Sequence, residues 1–190
     1  MKQIIFALIS CLILAENNNK AKIEDLKRDN TLFIPGIGAE SILLNESSDN
    51  LLNRIGPPET ILTFKKRKEL FKDVFHVQSP KKIYFTQLFY FQKKQFIVFL
   101  NKGCAIAIAG FKRSRCDYNS VNLEKGTDYF LFNYGNNNLY TLHKAGSSIY
   151  IYPSRGVAIA DDKLDNLIDI YIVFSAKIVD SNINTIEKIK

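Results

Sequence analysis

Apolar positions along the chain change their spacing several times, and each change predicts a different element. Met1 to Ala15, MKQIIFALISCLILA, is one Lys and then an almost unbroken apolar run, followed at once by polar Glu16 to Lys20. Further on, Leu51, Leu52 and Ile55 are spaced to share one helical face, and so are Phe130, Leu131 and Tyr134. Aromatic and β-branched runs follow each, as strands require. Strands are predicted over Ile83–Phe91, Leu139–His143 and Leu167–Phe174. The tail from Asp180 is polar and predicted to fray.

Two parts of the chain are written twice. Leu44–Gly56 lies on Leu123–Gly135 without a gap at an offset of 79 residues, and Phe96–Ala107 lies on Ile149–Ala160 at an offset of 53. The first pair predicts a short helix in each copy. Ser48 and Thr127 are placed to cap its first amides, Asp49 and Asp128 stand where the helix dipole favours negative charge, and Gly56 and Gly135 stop it. The second pair predicts a hairpin whose return run alternates Ala with Ile. The Ala side is expected to let the helix approach closely. The offsets differ by 26 residues, so copy one carries extra chain, roughly Lys65 to Lys82, with basic ends around Leu70, Phe71, Val74 and Phe75.

The predicted fold class is therefore α+β: two tandem repeats, each a short helix packed on a small antiparallel β-sheet. The expected organisation is a leader over 1–15, a polar tether over 16–32, and repeat one over 33–111 with its basic insertion near 65–82. A link over 112–120, repeat two over 121–178 and a polar tail over 179–190 complete it. Composition agrees, with 9 Tyr and 14 Phe against 9 Gly and 5 Pro among 190 residues, which favours β-structure over a helical bundle or a disordered chain.

The leader bears on the compartment. Leu8-Ile9-Ser10-Cys11 resembles a bacterial lipobox, so Cys11 is the expected lipid attachment site and the mature N-terminus. Cleavage after Ala15 and simple secretion are the alternative, and a buried N-terminal segment of a cytosolic protein is another. Ile4 to Ala15 is too short for a transmembrane helix, which needs roughly 20 residues. With Cys11 acylated, Cys104 and Cys116 remain. A disulfide between them is conceivable in an oxidising compartment, but a strand separates them, which favours two unpaired thiols.

A formal charge of +7 suits an acidic protein face, anionic lipid or nucleic acid, and a leader argues against the last. Lys65, Lys66, Arg67 and Lys68, with Lys93, Lys94, Lys112, Arg113 and Arg115, could form one positive face for an anionic partner. With Phe71 and Phe75, the first of these clusters could rest on a membrane. The competing reading is solvated loops and hairpin tips that block edge pairing. His76 and His143 are isolated, so no metal or other cofactor is expected, and no G-x-S-x-G surrounds any Ser. Gly36-Ile37-Gly38 reads as loop geometry. Asp161, Asp162, Asp165 and Asp169 could be paired carboxylates or a cation site, but read more simply as a solvated loop.

A capped helix ending in Gly56-Pro57-Pro58, with Ser48-Asp49 and Leu52 inside it and Pro35-Gly36-Ile37-Gly38 ahead, resembles the BamE (SmpA/OmlA) lipoprotein domain. In tandem it is also similar to the two-repeat β-lactamase inhibitor proteins. The resemblance implies a non-catalytic outer-membrane or periplasmic envelope lipoprotein that binds or scaffolds another envelope or secreted protein through its sheet. Peripheral binding of anionic lipid, or an unrecognised hydrolase, are the other readings.

Overall fold

A computed structural model describes residues 18–111, 114–144 and 146–176. Cys11, Lys112 and Arg113 lie outside them. The class is α+β, with two sheets and few helices. Residues 18–28 form a first helix (α1), although this stretch reads in the sequence as tether. One apolar position explains why it docks: Leu26 is fully buried, and a Cβ on Gly38 would come within 2.7 Å of its Cδ2.

Short strands follow at Leu32–Ile34 (β1), Gly38–Ala39 (β2) and Ile42–Leu43 (β3). They build a small sheet ordered β3-β2-β1-β8, whose last strand is Cys116–Asp117 in the segment read as a link. Glu40 and Ser41, between β2 and β3, both take positive φ, at 53° and 62°. That conformation costs about 1–3 kcal/mol for a non-Gly residue and persists only where surrounding contacts hold it.

Helix α2 (Ser48–Ile55) precedes β4 (Thr60–Glu69), a one-turn π-helix (Leu70–Val74) and β5 (Tyr84–Phe91). A hairpin of β6 (Phe96–Asn101) and β7 (Cys104–Gly110) follows. After β8 come a 3-10 turn (Leu123–Lys125), α3 (Gly126–Tyr134), β9 (Tyr140–Lys144), the hairpin β10 (Ser147–Tyr152) and β11 (Val157–Asp161), and β12 (Ile170–Phe174). The large sheet has eight strands in the order β4-β5-β6-β7-β12-β11-β10-β9. The two hairpins turn differently, through Lys102-Gly103 in the first and Pro153–Gly156 in the second, and the first alone has a register shift, at Phe99/Leu100.

Capping differs from expectation in both helices. The cap of α2 is Ser47, whose Oγ accepts from the Asn50 amide at 3.3 Å, while Ser48 is the first helical residue. In α3 the Thr127 hydroxyl instead donates toward Asp161 Oδ2 at 3.4 Å, and the cap comes from far along the chain. The carbonyl and Oδ1 of Asn166 accept from the amides of Thr127 (3.0 Å) and Asp128 (2.8 Å). Asp49 and Asp128 lie in the first turns, and Gly56 (φ 84°) and Gly135 (φ 68°) end the helices.

Both faces of the large sheet are packed. Leu51, Phe130 and Tyr134 from the helices meet Val98, Leu100, Ile108 and Ile159. In the second hairpin Ala158 and Ala160 belong to the opposite face and Ile159 to the helix side, whereas the first divides at its bulge: Ala105 packs on the helix side with Ile106 opposite, and beyond it Ala107 and Ala109 lie opposite with Ile108 on the helix side. Phe71, Phe99 and Phe174 pack with the alanines of that opposite face. Gly156 (φ 73°) joins the two sheets at close range, since a Cβ there would lie 2.2 Å from the Phe174 carbonyl and 2.7 Å from Gly36 Cα. Gly156→Ala is expected to lower the thermal midpoint by at least about 3 °C. A midpoint unchanged in a melting scan would contradict that contact.

Candidate functional site

Strand β4 is an edge of the large sheet, and among the described residues its outer backbone groups have no strand to pair with. It is long for an edge, and Ile61 and Leu62 are 52% and 47% exposed. Lys65, Lys66 and Arg67 are exposed further along it and Lys68 is half-buried. The ladder to β5 slips between Thr63 and Lys68, beneath the basic run. Charge and irregularity both discourage another strand there, so the uncharged half, Thr60 to Phe64, is the part open to pairing.

The basic groups do not gather into one face. Lys93 and Lys94 sit in the β5–β6 turn, beside Thr60, whereas Lys68 pairs with Phe85 at the opposite end of the β4–β5 ladder. Roughly 15–25 Å of strand lies between them. Lys94 Nζ donates to the Ile55 carbonyl at 2.6 Å, closing the C-terminus of α2. Arg115 is 3% exposed, and its Nε and Nη2 each donate to a Glu40 carboxylate oxygen at 2.8 Å. It is therefore not available to an anionic partner. Tyr171, from the centre of the large sheet, adds its hydroxyl to Glu40 Oε1 at 2.5 Å, and burial pushes that phenol well above its ordinary pKa. Gly110 makes room for the ring, because a Cβ there would lie 2.3 Å from it.

The membrane-resting apolar flap is corrected likewise. Phe71 is fully buried, edge-on to Phe174 at 5.7 Å between centroids, and Phe75 is half-buried beside it at 6.2 Å. Lys81 fastens the same segment by donating to the Pro153 and Ala176 carbonyls, and burial lowers its pKa. The insertion thus covers the Ala side of the sheet.

Glu69, at the end of β4, gave no signal in the sequence. It is 9% exposed, and its Oε1 has no hydrogen-bond partner among the described residues. Burial raises its pKa above the ordinary 4.5, opposed by Lys82 and reinforced by Asp73. A carboxyl whose folded pKa is raised favours protonation in the fold, so its penalty is absent below pH 4.5 and grows as pH rises through the higher folded value. Glu69→Gln is therefore expected to stabilise the protein at neutral pH, the gain vanishing in acid. An equal or opposite effect at pH 7 in denaturant titrations would remove the buried-charge account.

A cleft of about 410 Å³ opens between α1, the small sheet and α3. Arg155 is exposed there, its guanidinium 5.0 Å from the Tyr134 ring centroid and 5.8 Å from that of Tyr152. Lys22 lies 4.9 Å over Tyr118 on the other wall. Asp117 between them is already saturated, by the amides of Asn119 and Val121 and by the Tyr134 hydroxyl, each within 2.8 Å. Its position is a hub joining β8 to α3.

Asp161, Asp165 and Asp169 bring carboxylate oxygens within 4.8 Å of one another. Asp161 is 3% exposed, not solvated, and its oxygens accept from the amides of Lys163, Asp165 and Asn166. Asp165 and Asp169 likewise accept from Leu167 and Asp162, so the cluster shapes the loop that caps α3. His143 Nδ1 lies 2.6 Å from Ser148 Oγ, with Asp161 next in the same cross-strand row. Ser148 has no exposed surface, and the row puts Asp161 beyond the serine and not against the imidazole. That order differs from a triad, in which the acid orients the base. His76 is exposed, and Cys104 and Cys116 are free thiols. No described helix is long and apolar enough to cross a membrane.

No known protein family matches the sequence, and no curated protein does. Among solved structures, an extracellular protein containing an SCP domain from Bacillus anthracis str. Ames is similar over 70% of this chain, at 8% identity and a TM-score of 0.39. The chain spans 44% of that protein's length, and a likeness this slight carries no functional argument.

Proposed function

We propose that the chain is a non-catalytic envelope lipoprotein of two tandem α+β repeats, BamE-like in kind and tethered through Cys11, that binds or scaffolds another envelope or secreted protein. The observation that supports it best is the β4 edge, where Ile61 and Leu62 are exposed beside backbone groups that no described strand pairs with. An extended segment of a partner can add there as a further strand, its main chain giving affinity and its side chains specificity. Lys65, Lys66 and Arg67 favour acidic residues at one end of that segment.

A photocrosslinker at Leu62 in the membrane-extracted protein tests the reading. One crosslinked partner is expected, retained in high salt and lost in Leu62→Lys, with the fold unchanged. Crosslinks to lipid alone, together with release by salt, would instead favour peripheral binding of anionic lipid through the same basic residues. Partition of Cys11→Ala into the aqueous phase of a detergent separation tests the anchor independently.

A further inference from the structure

The insertion folds back on β4 and β5 to enclose a cleft of about 380 Å³ whose walls include Arg67, Glu69, Lys72, Asp73, Lys82 and Tyr84. Its acidic floor is built. Asp73 accepts from the Glu69 amide at 2.6 Å, which turns the chain and carries the Glu69 carboxylate inward. Glu69 is 9% exposed and its Oε1 has no hydrogen-bond partner among the described residues, a condition that calls for strain, a water, an ion or another donor to explain it. The cations are arranged differently. Arg67 lies over the Tyr84 ring at 4.4 Å without a carboxylate partner among the described residues, and Lys72 and Lys82 are exposed. Three cations against two carboxylates leave the cleft with a net charge of +1.

We propose that this cleft binds a small phosphorylated amine of the phosphoethanolamine type, its primary ammonium donating to Glu69 and its phosphate lying among Arg67, Lys72 and Lys82. The charges match, because a primary ammonium with a dianionic phosphate carries a net −1. Inorganic phosphate would satisfy the cations and leave Glu69 orphaned. A trimethylammonium group has no N–H to give, so phosphocholine is the discriminating control. The phosphorylated amine occurs as a free compound with that charge, and as a lipid headgroup in which the phosphate is a diester and the net charge is zero. The proposal is independent of the strand-addition reading, whose failure would leave it standing.

Calorimetric titration of the full chain with phosphoethanolamine, phosphocholine and inorganic phosphate tests it. Saturable binding of phosphoethanolamine at least about tenfold tighter than phosphocholine is expected, the size of one hydrogen bond to a buried charge, with that preference erased in Glu69→Gln. Lys82→Ala, at an exposed position, is expected to weaken both ligands alike and tests the phosphate half of the site separately from Glu69→Gln. Flotation with phosphatidylethanolamine against phosphatidylcholine vesicles separates the sources. Selective flotation identifies the headgroup, and binding of the free compound alone identifies a soluble ligand; either supports the site. Equal affinity for the two amines, a preference unchanged in Glu69→Gln, or no saturable binding at millimolar concentration would overturn it.

Discussion

Arg115→Met is expected to cost about 3–5 kcal/mol of folding stability, because it leaves the Glu40 carboxylate buried, charged and held only by the Tyr171 hydroxyl. The pair is bidentate and joins the small sheet to the large one through three residues far apart in sequence. It also secures the positive-φ turn at Glu40 and Ser41, so the strain there is released when the pair is broken. Glu40→Gln in the Arg115→Met background restores neutrality while Gln still accepts from Tyr171, and most of the loss is expected to return. A double-mutant cycle in urea measures this directly. A single variant within about 1 kcal/mol of the wild type would show that the ion pair contributes no more than an exposed one does.

That pair also shows where reading the sequence stops. Arg115 stands in Lys112-Arg113-Ser114-Arg115, and nothing local distinguishes it from its neighbours. Its partner is 75 residues away, the one acid in an apolar stretch from Phe33 to Leu44. An isolated charge in such a run is a signal that it is buried, but not of what meets it. Helices α2 and α3, the two hairpins and strands β5, β9 and β12 were legible because periodicity and Gly placement are local, whereas α1 was read as tether and half of β4 as insertion. The small sheet was not, since β2, β3 and β8 have two residues each and carry no period. The cap on α3 was missed for the same reason: Asn166 reaches Asp128 across 38 residues. The candidate site was legible only in part. Basic residues on β4 are plain in the sequence, whereas the unpaired oxygen of Glu69 depends on how the insertion folds over it.

Phe71→Ala carries the second large effect and decides what the insertion is. The ring is fully buried against Phe174, so its loss is expected to cost about 3–5 kcal/mol, the combined transfer and cavity terms for a core phenylalanine. Phe75→Ala, at a half-buried ring on the same segment, is expected to cost clearly less. If the insertion were an apolar flap meant for a membrane, both would leave the soluble fold nearly unchanged and differ only in vesicle binding. The measurement is chemical unfolding of both variants alongside flotation on anionic vesicles. Loss of stability in Phe71→Ala with undiminished vesicle association in Phe75→Ala makes the insertion a cover for the Ala side of the sheet and confines any lipid contact to the exposed basic residues of β4. Unchanged stability in both would return Phe71 to the surface and with it the membrane-resting role. The same result bears on the Glu69 cleft, whose walls Lys72, Asp73 and Lys82 belong to this segment: a cover that is part of the core holds them in place before any ligand arrives.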